Sequence, residues 1–325
     1  MAGPETLRAS YVAPVDGGSA LPDDTLACIG FGAVASHPDP RAFVVALQPL
    51  GPAPMAELWR GSGPATVGRD GDVHWAHDGN HLFGRLSLDE RAAGGIEHAA
   101  DAGYRRVLEF TRDCGFPHLV RIWNYFDAIN AGAGDAERYR RFCVGRAAAL
   151  AAAYPPERLP AATAIGRDGE GSTLQLYWIA TRAEGDAIEN PRQQSAYRYP
   201  RRYGPAAPSF SRAMALDGRI LLISGTASVV GHATNHAGDA LAQLDETLAN
   251  MASLCATAHA RHPRIPPALG RGSILKVYVR DPAAEAEVRA ALQPRLPEGC
   301  VPLYLRGDIC RDDLLLEIDA VHVAG

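Results

Sequence analysis

Apolar positions along the chain alternate between two spacings. Residues 96–114, 135–153, 239–260 and 283–292 read as helices; in the third, Leu241, Leu244, Leu248, Met251 and Leu254 fall on one stripe. Between them run short β-rich segments: HLFGRLSL (81–88), HLVRIWNYF (118–126) and STLQLYWIAT (172–181), then RILLISGTASVV (219–230), SILKVYVRD (273–281) and DLLLEIDAVHV (313–323). The order strand, helix, strand, helix, strand therefore occurs twice. It predicts an α/β (α+β) fold of two similar units, each a sheet covered by helices on one face and packed against its twin. A chain of 325 residues exceeds the usual size of a single core, and the expected division is 1–185 and 186–325.

The repeat allows the halves to be compared. In the last strand of each, LYWIAT aligns with LEIDAV, so Glu317 stands where the first half has Tyr177. Period-2 alternation puts Leu315, Glu317, Asp319 and Val321 on one face, and Leu314, Leu316, Ile318 and Ala320 on the other. A glutamate in such surroundings is desolvated, which raises its pKa toward that of a general acid. Useful protonation near neutrality needs a shift of about 2–3 units, roughly 3–4 kcal/mol. An edge-strand glutamate facing water or an arginine is the other reading of the same pattern.

Composition narrows the function classes. Hydrophobic residues make up 47% and charged residues 21%, as in a globular enzyme, and a net charge of -5 speaks against nucleic acid as a partner. The six cysteines form no CxxC pair, so neither a zinc site nor a disulfide framework is expected, and a reducing cytoplasm suits them. The start of the chain lacks a basic stretch followed by an apolar run, and no apolar segment approaches about 18 residues, so neither secretion nor membrane spanning is expected.

Against this mildly acidic background, residues 190–212, NPRQQSAYRYPRRYGPAAPSFSR, hold five arginines and three tyrosines and no acid. Guanidinium forks and phenol hydroxyls suit a small, planar, multiply charged anion, although a proline-rich surface connector would have the same composition. The segment follows the junction of the two units, where clefts commonly hold small molecules. On the helix at 135–153, Tyr139 and Arg146 are seven residues apart and share a face, so they could grip one ligand, with Tyr199 and Arg212 on the opposite wall. Arg138, Arg140 and Arg141 are expected on the solvated face of that helix.

Several motifs lead elsewhere and fail. His232 and His236 in GHATNHAGD have metal-pair spacing only if helical, but glycines at 231 and 238 make the segment a loop, and Asp239 reads as an N-cap. GFGAVA (30–35) mimics half a dinucleotide fingerprint, yet HPDP follows where a helix must begin. His74 and His77 in HWAHD have no third ligand at suggestive spacing, and surface or packing roles are expected of them. No GxSxG, HExxH or P-loop pattern occurs.

Four segments, ENPRQQSAYRYPRRYGPAAPSFSRA, LLISGTASVVGHATNHAGD, ERYRRFCVGRA and DICRDDLLLEIDAV, together resemble the chorismatase family. The resemblance runs from residue 137 to the C-terminus and more loosely through the part before. It implies two fused units of the RidA/YjgF type, an active site in the C-terminal half against the other unit, chorismate as the substrate, and no metal or organic cofactor. Residue by residue it implies Glu317 as the acid that protonates the enolpyruvyl methylene, and Tyr139, Arg146, Tyr199 and Arg212 as substrate contacts. Arg202 and Tyr203 are further candidates, with Arg198 and Arg201 as alternatives to Arg202. Gly231 and Cys310 match the pocket positions associated with product choice, and this pair resembles the branch that makes 3-hydroxybenzoate for secondary metabolism. Hydrolysis to a dihydroxycyclohexadiene carboxylate, a mixture of 3- and 4-hydroxybenzoate, a RidA-like imine hydrolase and a small-anion binding protein are the competing readings. Internal duplication favours a monomer, with a trimer as the other expected state.

Overall fold

The computed structural model describes residues 7–15, 19–32, 37–51, 53–169 and 173–323. The first unit contains β1 (Thr66–Asp70), β2 (Val73–His77), β3 (His81–Asp89), α1 (Ile96–Asp113), β4 (His118–Asp127), α2 (Arg138–Leu150), β5 (Ala161–Arg167) and β6 (Thr173–Thr181). The second contains β7 (Asp186–Ile188), β8 (Ala213–Leu216), β9 (Ile220–Thr226), α3 (Ala240–Arg261), β10 (Ile274–Val279), α4 (Glu285–Leu292), β11 (Val301–Arg306) and β12 (Leu316–Val323).

The two sheets have the same plan. Their spatial orders are β1-β2-β3-β6-β4-β5 and β7-β8-β9-β12-β10-β11, and in each the pair at the far end, β4–β5 or β10–β11, is parallel while the others are antiparallel. A short strand, Pro49–Leu50, extends the second sheet beyond β11. The duplication legible in the sequence is thus a duplication of topology.

Alternation along the strands sorts the core into layers. Leu174, Leu176 and Trp178 of β6 pack under α1 and α2, while Leu316, Ile318 and Ala320 of β12 pack under α3 and α4. The opposite faces, with Trp123, Tyr125 and Tyr177 from one sheet and Leu222, Tyr278 and Leu305 from the other, meet in a shared core. Into it also packs a third sheet, formed by Arg8–Val12, Ala56–Arg60, Thr25–Phe31 and Ala42–Val45, which contributes Leu26, Ile29 and Trp59.

Local details follow expectation in some places and correct it in others. Asp239 caps α3, its carboxylate accepting from the Ala242 N–H at 2.9 Å; His232 lies at the tip of a small hairpin, Val229–Val230 with Ala233–Thr234, and His236 in the bend between that hairpin and the helix. Among the described residues no group of His, Cys, Asp and Glu is arranged to hold a metal, and no helix is long and apolar enough to cross a membrane. The glycines of GFGAVA end the strand Thr25–Phe31, and residues 33–35 lie outside the described residues. His77 stacks on Trp75, a packing role.

Arg138, Arg140 and Arg141 are not a free solvated row. Each has an acidic partner: Arg138 and Arg141 reach Glu90 and Glu97 on the segments packed beside α2, and Arg140 pairs with Glu137, the N-cap of α2 itself.

Candidate active site

The two units are stitched along β5. Ala161 forms a bridge with Ser211, the Ala162 N–H donates to Ser224 Oγ at 2.9 Å, and the Gly225 N–H donates to Thr163 Oγ1 at 3.0 Å. Beside this seam opens a cavity of about 670 Å³, walled by both units.

Helix α2 supplies one wall through Tyr139 and Arg146, both buried. The helix approaches α1 closely at Gly145, where a Cβ would stand 2.0 Å from the Glu97 carbonyl oxygen. Only glycine permits that approach, which brings the next residue, Arg146, to the cavity. Its guanidinium, 1% exposed, lies over the rings of Phe142 and Phe210 at 5.0 and 5.8 Å, and its Nε–H has no acceptor.

The 190–212 segment supplies the facing wall. Arg212, 6% exposed, donates to the Gln194 carbonyl and to Tyr199 OH, both at 2.8 Å, and its Nε–H is also without an acceptor. Phe210 lies between the two cations, 5.3 Å from the Arg212 guanidinium. Among the described residues neither arginine forms a salt bridge. Glu189 lies close enough to feel the charge of Arg212 but forms no salt bridge with it, and burying charge without a closer partner is costly, so the pair suits anions that arrive from outside.

At the mouth, Tyr203 OH and Arg202 meet Nδ1 of His232 at 3.1 and 2.9 Å, and the Arg311 guanidinium lies over the rings of Tyr203 and Tyr199 at 4.3 and 5.3 Å. Arg192 and Arg201 of the same segment are taken up by Glu246 and Asp135, and Arg198 does not reach the wall.

Glu317 lies on central strand β12, paired with Tyr278 on β10, and is 5% exposed. Its carboxyl occupies the space that a side chain at residue 225 would need: a Cβ on Gly225 would stand 1.9 Å from Oε1. A register shift in β9 between Ile223 and Thr226 accompanies this approach, as a bulge beside a functional group often does. Burial, reinforced by the nearby charge of Asp319 and opposed by Arg121 and Arg212, pushes the Glu317 pKa up to about 8. Cys310 completes this end of the wall; burial, with Glu317 adding to it, pushes its thiol up to about 12, so it is a neutral thiol at ordinary pH.

Eight residues singled out in the sequence therefore share one cavity: Tyr139, Arg146, Tyr199, Arg202, Tyr203, Arg212, Cys310 and Glu317. Gly231 does not join them. Its backbone, at φ 58°, is tied to Arg192 and Gln194, and the wall nearby is made by Val229, Ala233 and Thr234. Reading the sequence also missed Arg140, Gln193 and Arg311, all on the wall. Two buried cations facing a protonated carboxyl can hold a dianion and hand it a proton.

Relatives of known kind place the chain in a family. A chorismatase from Streptomyces rapamycinicus is 42% identical over 280 residues, covering 82% of this chain and 82% of that protein. The chain belongs to the chorismatase family. The family model described as "Chorismatase FkbO/Hyg5-like, N-terminal" matches residues 57–180, the half in which the motif resemblance was looser. A 3-hydroxybenzoate synthase from Streptomyces hygroscopicus is 33% identical, covering 98% of this chain and 95% of its own. A chorismatase crystal structure superposes with a TM-score of 0.83 at 32% identity, covering 98% of each chain. At that coverage the chorismatase fold takes in the third sheet as well as the two repeats.

Proposed function

We propose that this protein converts chorismate to 3-hydroxybenzoate and pyruvate. The observation that carries the reading is a buried Glu317, its pKa pushed up to about 8 by burial, in one cavity with two buried arginines that lack a salt-bridge partner among the described residues. Chorismate brings two carboxylates, and Arg146 and Arg212, aided by Tyr139 and Tyr199, receive them. Each charge-assisted contact contributes about 1.5–3 kcal/mol. Glu317 then protonates the enolpyruvyl methylene, giving an oxocarbenium-like centre; the ring C3–O bond breaks and releases pyruvate as the C4 hydroxyl oxygen bonds to C3 and returns its proton to Glu317. Opening of that epoxide at C4 with loss of the C3 hydrogen as a proton leaves 3-hydroxybenzoate. Arg202, Tyr203 and Arg311 close the mouth over the substrate.

The product assignment rests on Cys310 at the cavity wall and on the similarity to a 3-hydroxybenzoate synthase. Gly231 lies off the cavity wall and carries no part of the assignment. Hydrolysis to the diene diol, by water attacking the same oxocarbenium-like centre, is the second reading.

The test is pyruvate release from chorismate by the purified protein in the presence of a chelator, with the ring product identified by chromatography. Glu317→Gln is expected to lower kcat by about 10²–10⁴-fold. Undiminished turnover in that variant overturns the mechanism, and a diene diol as sole product overturns the product assignment.

A further inference from the structure

Glu317 has a charged neighbour on the inner face of β12. Two residues on, about 7 Å along the strand, Asp319 shares that face and is 2% exposed. Its Oδ2 accepts from Trp123 Nε1 at 3.1 Å, Thr163 Oγ1 at 3.0 Å and Tyr278 OH at 2.9 Å, and lies 3.4 Å from the guanidinium of Arg121. Its Oδ1 is 3.7 Å from Lys276 Nζ, which donates to Glu57 Oε2 at 2.8 Å. All four charged residues are buried, and they come from all three sheets: Glu57 from Ala56–Arg60, Arg121 from β4, and Lys276 and Asp319 from the second sheet.

Two cations and two anions leave this cluster neutral, so it offers no net positive charge to offset ionisation of Glu317 beside Asp319. Buried ion pairs contribute little to stability compared with apolar residues of the same volume, so packing alone does not account for the cluster. Nor is it a route for protons. The hydrogen-bonded path from Asp319 through Tyr278, Tyr125 and Tyr177 to Lys276 ends at Glu57, itself 1% exposed.

The groups that face Glu317 are few. Asp319 lies on its own strand, Tyr278 opposite on β10, Arg121 on β4, Arg212 across the cavity and Cys310 in the loop before β12, while β9 presents Gly225 there. Burial keeps the Tyr278 and Cys310 protons in place, which leaves Asp319 as the one anion among them.

We propose that Asp319 is a positioning residue for the reaction: its fixed negative charge keeps the proton on Glu317, and Arg121 holds Asp319 in place and moderates that effect. The proposal rests on Glu317 being the proton donor. It is tested on the full chain by infrared difference spectroscopy, following with pH the protonated-carboxyl band that disappears in Glu317→Gln. In Asp319→Asn the midpoint of that band is expected to fall by about one unit, and the high-pH limb of kcat/KM to fall with it.

If Asp319→Asn does not fold, Arg121→Gln replaces it. Removing the Arg121 cation takes away what opposes the proton on Glu317, so the midpoint is expected to rise. An unchanged midpoint, or one that moves the opposite way, overturns the proposal. The infrared titration needs no substrate. Absence of chorismate turnover in the unaltered protein, with the Asp319-dependent shift intact, would overturn the functional reading and leave the charge coupling standing.

Discussion

A carboxyl keeps its proton near neutrality when water is withheld and no cation is bonded to it, and Glu317 meets both conditions. Its pKa in the fold, about 8, lies above the value of about 4.3 expected in the unfolded chain. The sign of the linkage follows. Below the unfolded value both states are protonated; between the two values the unfolded chain releases a proton that the fold retains, so stability falls with rising pH and levels off above about 8. Glutamine lacks this dependence. The Tm of Glu317→Gln relative to the unaltered protein is therefore expected to climb between pH 5 and pH 8, and parallel melting curves would contradict a proton held by burial. Gly225→Ala places a methyl group within the carboxyl of Glu317 and is expected to lower kcat/KM about 100-fold or more while circular dichroism stays native. Glu317 was legible because its twin position holds a tyrosine. Gly225 was not, because its need for an absent side chain comes from a residue far along the chain. A lone arginine inside HLVRIWNYF was the available signal for Arg121, but the interior it faces exists only once three sheets have met. Arg311 was hidden in a polar run that reads as a bend.

Helix α2 shows how an element serves the site through its packing. Its glycine sits against the α1 backbone so that Tyr139 and Arg146, two turns apart, reach the cavity together. Gly145→Leu forces the helices apart and is expected to cost about 1–3 kcal/mol of stability, with a rise in KM larger than the fall in kcat; chemical denaturation and steady-state kinetics measure both. The helices α1 and α3 and the strands with strong alternation were legible at nearly their observed limits. Strand β5, AATAIGR, was not, since small residues buried on both faces leave no period to read. The helix expected over 135–153 is shorter at both ends, starting after a 3-10 turn at Gly134–Ala136 and ending at Leu150. The third sheet, from residues 8–60, also went unread. Its strands belong to neither repeat, and their partners are brought to them by the fold.

At the scale of the whole molecule, duplication gave two equivalent inner faces, and the chain treats them differently. The second carries Glu317 beside an open cavity, with the first unit acting as its opposite wall. In the first, Tyr177 fills the matching position, stacked 4.7 Å from Trp123 and 5.7 Å from Phe83, with its hydroxyl bonded to Lys276 and Tyr125. That place is solid protein. Calorimetric titration with a non-reactive dicarboxylate mimic of chorismate is accordingly expected to saturate at one molecule per chain, and a stoichiometry of two would mean that the tyrosine-filled twin can empty. The repeat thus behaves as one working half and one plugged half, and occupancy, rather than symmetry, sets how many ligands the molecule can hold.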